Sequence, residues 1–216
     1  MGIAPSAALG IAAVALGLVL TPGPNMMYLV SRSITQGRRA GLISLLGVAA
    51  GFLVYLTATS LGLTAAFTAV PALYLVVRLT GALYLGWLAW QALRPGGSSV
   101  FAPKALPVDS SRRLFSMGLL TNLLNPKIAV LYLSLLPQFI RPAAGHVLVQ
   151  GLLLGCVQVA VALTGNFVIV LAAGGIAAFL ARRPGWLRVQ RVLMGTVLGG
   201  LAVRLAVDGG RATPLT

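Results

Sequence analysis

Six apolar runs, each about the twenty residues that cross a bilayer core, fill most of this chain, and two of them are broken in the middle. The runs cover roughly 4–30, 40–63, 71–93, 114–139, 147–173 and 187–207. Pro22-Gly23-Pro24-Asn25 interrupts the first and Asn125-Pro126-Lys127 the fourth. Proline inside a helix removes a backbone donor and disrupts the bond to the preceding turn. The carbonyls freed in this way must find partners where there is no water, so such breaks persist where they line a cavity within the protein. Paired breaks at corresponding positions of two halves point to a substrate site near the midplane of a secondary transporter.

Composition agrees with a chain that lives in lipid. Of 216 residues 58% are hydrophobic and 8% charged, with mean hydropathy +0.97, outside the range of a soluble globular domain. Only Asp109 and Asp208 oppose sixteen Lys and Arg residues, for a formal charge of +14. Nucleic-acid binding would gather such charge into a groove or patch. Here the basic residues punctuate the gaps between apolar runs, so no nucleic-acid partner is expected. The single cysteine, Cys156, excludes an internal disulfide or dithiol cycle. Residues 1–7 carry no side-chain charge, so the basic leader of a cleavable signal is missing and the first span is expected to stay in the mature protein.

The longest gap, 94–113, contains Pro95-Gly96-Gly97-Ser98-Ser99 and Pro103 and reads as a loop between two three-helix groups, 1–93 and 114–216. The expected fold is therefore an all-α membrane protein of six transmembrane helices with broken first and fourth helices. An odd number of spans per half makes the repeats inverted. Basic residues are retained on the cytoplasmic face. One side collects Arg32, Arg38, Arg39, Arg94, Lys104, Arg112, Arg113, Arg182, Arg183, Arg188 and Arg191, and the other Arg141 and Arg211 with Arg204 nearby. Both termini are thus expected outside the cytoplasm, with anionic lipid head groups meeting the basic side. Glycines four apart (37/41, 47/51, 151/155, 195/199) predict close helix packing and offer a face for a homodimer.

Ionisable residues at membrane depth are costly and are functional candidates. Arg78 lies within the third span and can also snorkel outward. Lys127 sits at the centre of the fourth, where it can cap carbonyls released by Pro126, meet a substrate, or both. Asn25, Asn122, Asn125 and Tyr132 add uncharged polar groups, with Gln158 and Asn166 ranked second because interhelical hydrogen bonding accounts for them. With the backbone at Pro22, Gly23, Pro24 and Pro126, these residues outline a place for a carboxylate, drawn by Lys127, Arg78 and half-helix N-termini. No Asp or Glu falls within a span, so a zwitterion with a neutral side chain is favoured over a dibasic one. Catalysis finds no support: His146 is the sole histidine, metal-ligand clusters are missing, and there is no phosphate loop. No cofactor is expected, and transport would run on a gradient or by exchange.

Thr21-Pro-Gly-Pro-Asn25, followed by Gly37-Arg38-Arg39-Ala40-Gly41-Leu42 and Gly47-x3-Gly51, resembles the N-terminal signature of the LysE/RhtB amino-acid exporters. Arg78-x2-Gly81-Ala82-x-Tyr84-Leu85-x-Trp87, Gly118-x2-Thr121-Asn122, Asn125-Pro126-Lys127 and Leu136-Pro137-Gln138-Phe139 continue the resemblance over nearly the whole chain. It implies a six-helix inner-membrane exporter of amino acids or related metabolites working by proton antiport, with Pro22, Gly23, Pro24, Asn25, Asn125, Pro126 and Lys127 on motif positions. Many members of the family carry an acidic residue in the fifth span, where this chain has Gln158 and Asn166. Uniport, or a proton route through water and substrate, therefore stands beside antiport. The expectation is a secondary exporter of small amino acids by alternating access. The competing readings are a non-transporting membrane interaction protein and efflux of another small solute.

Overall fold

Prolines and their short polar neighbours set two bends. The computed structural model describes residues 3–21, 23–69, 71–94, 107–182 and 185–207, and Pro22 lies outside them. Helix α1 (Pro5–Leu20) stops where Thr21 turns extended; the Thr21 hydroxyl donates back to the Gly17 carbonyl at 2.7 Å. Gly23 is extended, and Pro24 opens α2 (Pro24–Thr35) at the first helical position, where a missing N–H costs nothing. The two helices bend by 55°.

The second bend uses the same chemistry in a different order. Helix α5 (Ser111–Leu123) starts on Ser110, whose hydroxyl accepts from the Arg113 N–H. It ends before Asn125, whose side-chain oxygen accepts from the Lys127 N–H at 3.0 Å and caps α6 (Pro126–Val130). A wide π-helical turn, Leu131–Leu135, and a tight 3-10 turn, Leu136–Phe139, follow. Pro137 cannot donate to a regular ladder, and the Gln138 side-chain amide donates instead to the Ser134 carbonyl at 2.8 Å. Ser111–Leu123 and Pro126–Phe139 bend by 48°.

Between and after the bends run α3 (Arg38–Ala69), α4 (Pro71–Leu93), α7 (Val147–Arg182) and α8 (Gly185–Val207). Arg38–Ser60 of α3 and Val147–Phe179 of α7 are each long and apolar enough to cross a membrane; each bent pair reaches that standard as one span, giving two to four candidate spans among the described residues. Helices α4 and α8 have 23 residues each, about 34 Å at 1.5 Å per residue. Elements from the two ends of the chain interleave: α3 packs on α5 and α7, α1 on α7, and α4 on α8.

The paired glycines serve contacts within the chain. A Cβ on Gly47 would meet the Phe115 carbonyl oxygen of α5, and one on Gly118 would meet that of Ser44 on α3, so backbone lies on backbone at this crossing. Gly155 admits Leu56, and Gly195 admits Leu93. Gly37 differs: its φ of +87° makes the turn between α2 and α3, with nothing within 4 Å of an added Cβ. Gly47→Ala and Gly118→Ala are each expected to cost about 1–3 kcal/mol through overpacking. Gly62→Ala and Gly86→Ala, with nothing within 4 Å, should leave stability unchanged or raise it, alanine being better in a helix by up to about 1 kcal/mol. Thermal melting of the purified protein in detergent distinguishes the two sets.

Candidate substrate site at the two bends

Both bends open onto one small cavity. Its polar lining comes from Thr21, Asn25, Asn125, Lys127, Gln158 and Asn166, and Gly23 contributes backbone. Leu18, Val19, Met26, Phe52, Ile128 and Leu131 supply much of its apolar wall. The volume is about 30 Å³. That admits a water or two, against the roughly 150 Å³ of a cavity that takes benzene.

Lys127 crosses this space. Its side chain is 4% exposed, and Nζ donates to the carbonyls of Leu18 and Thr21, both at 2.8 Å. Capping of the carbonyls released by Pro126 was one of the two roles the sequence offered this ammonium, beside a substrate role. Lys127 instead caps those released at the other bend, because α1 ends there and the Lys127 stem reaches across Gly23. A Cβ on Gly23 would lie 3.0 Å from Lys127 Cδ and 3.1 Å from Nζ, so the glycine leaves the lysine its path. Among the described residues, Lys127 is the only charged group in the lining.

The amides divide into engaged and idle. Asn125 is used as the α6 cap, and the Asn166 side chain donates to the Ala162 carbonyl at 2.8 Å. Gln158 accepts from the Tyr132 hydroxyl at 2.6 Å, while the Tyr132 ring stacks on Tyr55 at 5.4 Å. Tyr132 therefore stands behind the lining and orients Gln158. The oxygen of Asn25 has no hydrogen-bond partner among the described residues, nor has either polar atom of the fully buried Asn122, which lies against Gly51 on α3. Pro24 and Pro126 are exposed and are not part of the cavity lining. The Arg78 side chain lies outside the described residues.

A second polar cluster was missed by sequence, which read Arg32 and Arg113 as topology charges. Asp109, whose side chain is 3% exposed, pairs with Arg32 and Arg113, both at 3.1 Å. Gln36 donates to the Asp109 carboxylate and accepts its N–H, both at 2.9 Å. Arg32 also lies 5.4 Å over the Tyr28 ring, and the Tyr28 hydroxyl donates to the Leu114 carbonyl at 2.8 Å. The end of α2 is thus bound to the start of α5. The readable signal was one of only two acids in a strongly basic chain, four residues before Arg113.

A family model described as LysE type translocator matches residues 16–209. The leucine efflux protein of Salmonella choleraesuis (strain SC-B67) is 27% identical over 192 residues, covering 89% of this chain and 91% of the relative. The leucine efflux protein of Enterobacter sp. (strain 638) is 27% identical over 88% of this chain and 90% of its own length. The uncharacterized membrane protein YahN of Escherichia coli (strain K12) is 28% identical over 87% and 83%. No solved structure gives a significant match.

Removing the acid from the second cluster leaves Arg32 buried and uncompensated. Asp109→Asn is expected to destabilise by about 3 kcal/mol or more, whereas Arg113→Ala, at a side chain 66% exposed, should cost no more than about 1 kcal/mol. Comparing detergent melting curves of the two variants checks this ordering.

Proposed function

The chain belongs to the LysE type translocator family, and on that premise we propose that it is a secondary exporter of small amino acids with neutral side chains, or close derivatives, across the bacterial inner membrane. The observation that carries this reading is the buried lysine where the two bends meet in an otherwise apolar and amide-lined cavity. Relatives named for leucine efflux support an apolar side chain. So does the wall of Leu18, Val19, Met26, Phe52, Ile128 and Leu131. Lys127 attracts the substrate carboxylate; the amides of Asn25, Asn125, Gln158 and Asn166 complete its polar surroundings, and Arg78 and Asn122 remain candidates for that polar set. No carboxylate stands in the lining among the described residues, so a second cation on the substrate would go unmatched.

The architecture that fits this role is six spans in two inverted three-helix repeats, 1–93 and 114–216, joined by a cytoplasmic linker, 94–113. Exchanging the halves turns the α1–α7 contact into α5–α3 and returns α3–α7 and α4–α8 to themselves, which supports the repeat. The crowding of basic residues on one side supports both termini on the non-cytoplasmic face. A cavity this small must widen to load an amino acid. Alternating access would do so by changing the bends at Gly23 and Pro126, with α4 sliding at Gly81, where an added Cβ would lie 2.6 Å from Ser134 Oγ.

Lys127→Ala is expected to abolish leucine counterflow in vesicles, at least a hundredfold below wild type, while membrane insertion stays largely intact. Normal export by that variant would refute the carboxylate-binding role.

A further inference from the structure

Resting on the export reading, we propose that the Leu18 and Thr21 carbonyls at the end of α1, with the Asn25 side-chain oxygen, are the binding site for the substrate's α-ammonium group, and that Lys127 occupies this site until substrate displaces it. An ammonium has three donors and no acceptor. With no carboxylate in the lining among the described residues, it needs neutral oxygens. The two carbonyls already prove able to hold one, since each takes a hydrogen bond from Nζ at 2.8 Å. They also sit where a helix end concentrates partial negative charge. The third acceptor is independent of the lysine. Asn25 is 7% exposed, lines the same cavity, and its oxygen has no partner among the described residues. A buried acceptor left idle points to a group that arrives later.

The exchange keeps the charge of the cavity constant. Before loading, the lysine ammonium lies on the carbonyls. After loading, the substrate ammonium lies there, and the displaced Lys127 turns to the substrate carboxylate, so a zwitterion enters without adding net charge to a confined site. Space follows the same logic, since the lysine stem now crosses the volume a substrate needs, passing Gly23 where no Cβ stands in the way. The site therefore requires a free α-ammonium and a free carboxylate together.

The test is competition for radiolabelled leucine binding to the purified full-length protein in lipid nanodiscs, using leucine, leucinamide and N-acetylleucine. In wild type, N-acetylleucine, which has no ammonium, should compete at least thirtyfold more weakly than leucine, and leucinamide should fall between them. In Lys127→Gln the ammonium that competes for the carbonyls and partners the carboxylate is gone, so the potency of leucinamide relative to leucine should rise at least tenfold. If Lys127→Gln fails to fold, Asn25→Leu serves in its place, because it breaks no bond made by the idle oxygen. Leucine affinity should then drop about tenfold with the melting temperature held. Equal competition by N-acetylleucine in wild type, an unchanged leucinamide ratio in Lys127→Gln, or unchanged leucine affinity in Asn25→Leu each overturns the inference. Absence of any leucine binding or flux in wild type would instead defeat the export reading and take this inference with it.

Discussion

The ammonium of Lys127 on the carbonyls of Leu18 and Thr21 is the contact on which the arrangement of both bends depends. Helix α1 has no basic residue in its last turn, and its final carbonyls end inside the protein rather than in water. Left alone they would be orphaned acceptors. The compensating charge comes from a residue 109 positions away in the chain, and the same contact spares the lysine the cost of an unpaired buried charge. At the first break the donor comes from the later half, and at the second the Tyr55 hydroxyl of α3 donates to the Leu123 carbonyl at the end of α5 at 2.8 Å while Asn125 caps α6 locally. Each half thus supplies a donor at the other's break.

That reciprocity explains why the cavity is built from backbone and amides. A proline removes a donor, so the local excess is of acceptors, and an excess of acceptors calls for a cation rather than an anion. One lysine and several amides balance it. A carboxylate placed here would pair with Lys127 and withdraw it from the α1 carbonyls. The absence of acidic residues from the apolar runs is therefore consistent with how the bends are held.

The bends and the burial of Lys127 were legible because they follow from local rules: prolines inside apolar runs, capping residues beside them, and a charged residue in the middle of an apolar run. The limits of α4 and α8 were read closely for the same reason. The partner of Lys127 was not legible. Neither was the place of Gln158 and Asn166 in the cavity lining, nor that of Tyr132 behind Gln158. Helices that are apolar all round carry no periodic stripe to say which face turns inward, so rotations, and with them long-range partners, are set by packing alone. Asp109 was missed for a related reason. Arg32 obeys the rule that places basic residues at span ends, and nothing local reveals that it is also buried against an acid. The glycine pairs announced close approach without naming the partner, which for Gly47, Gly155 and Gly195 lies within the chain.

Two ties connect the broken helices, each joining the second arm of one pair to the first arm of the other. Lys127 binds the second arm of the later pair to the first arm of the earlier one, α6 to α1. Arg32 and Gln36 bind the second arm of the earlier pair to the approach of the first arm of the later one, α2 to α5, through Asp109. One tie lies at the cavity and the other at the far end of α2. Because α3 is packed backbone to backbone on α5, an arm that moves carries its tied partner and a helix of the opposite half with it. Neither bend can change by itself while both ties hold. Any widening of the cavity must either release a tie or turn both broken helices together, which reduces two flexible points to a single coupled motion.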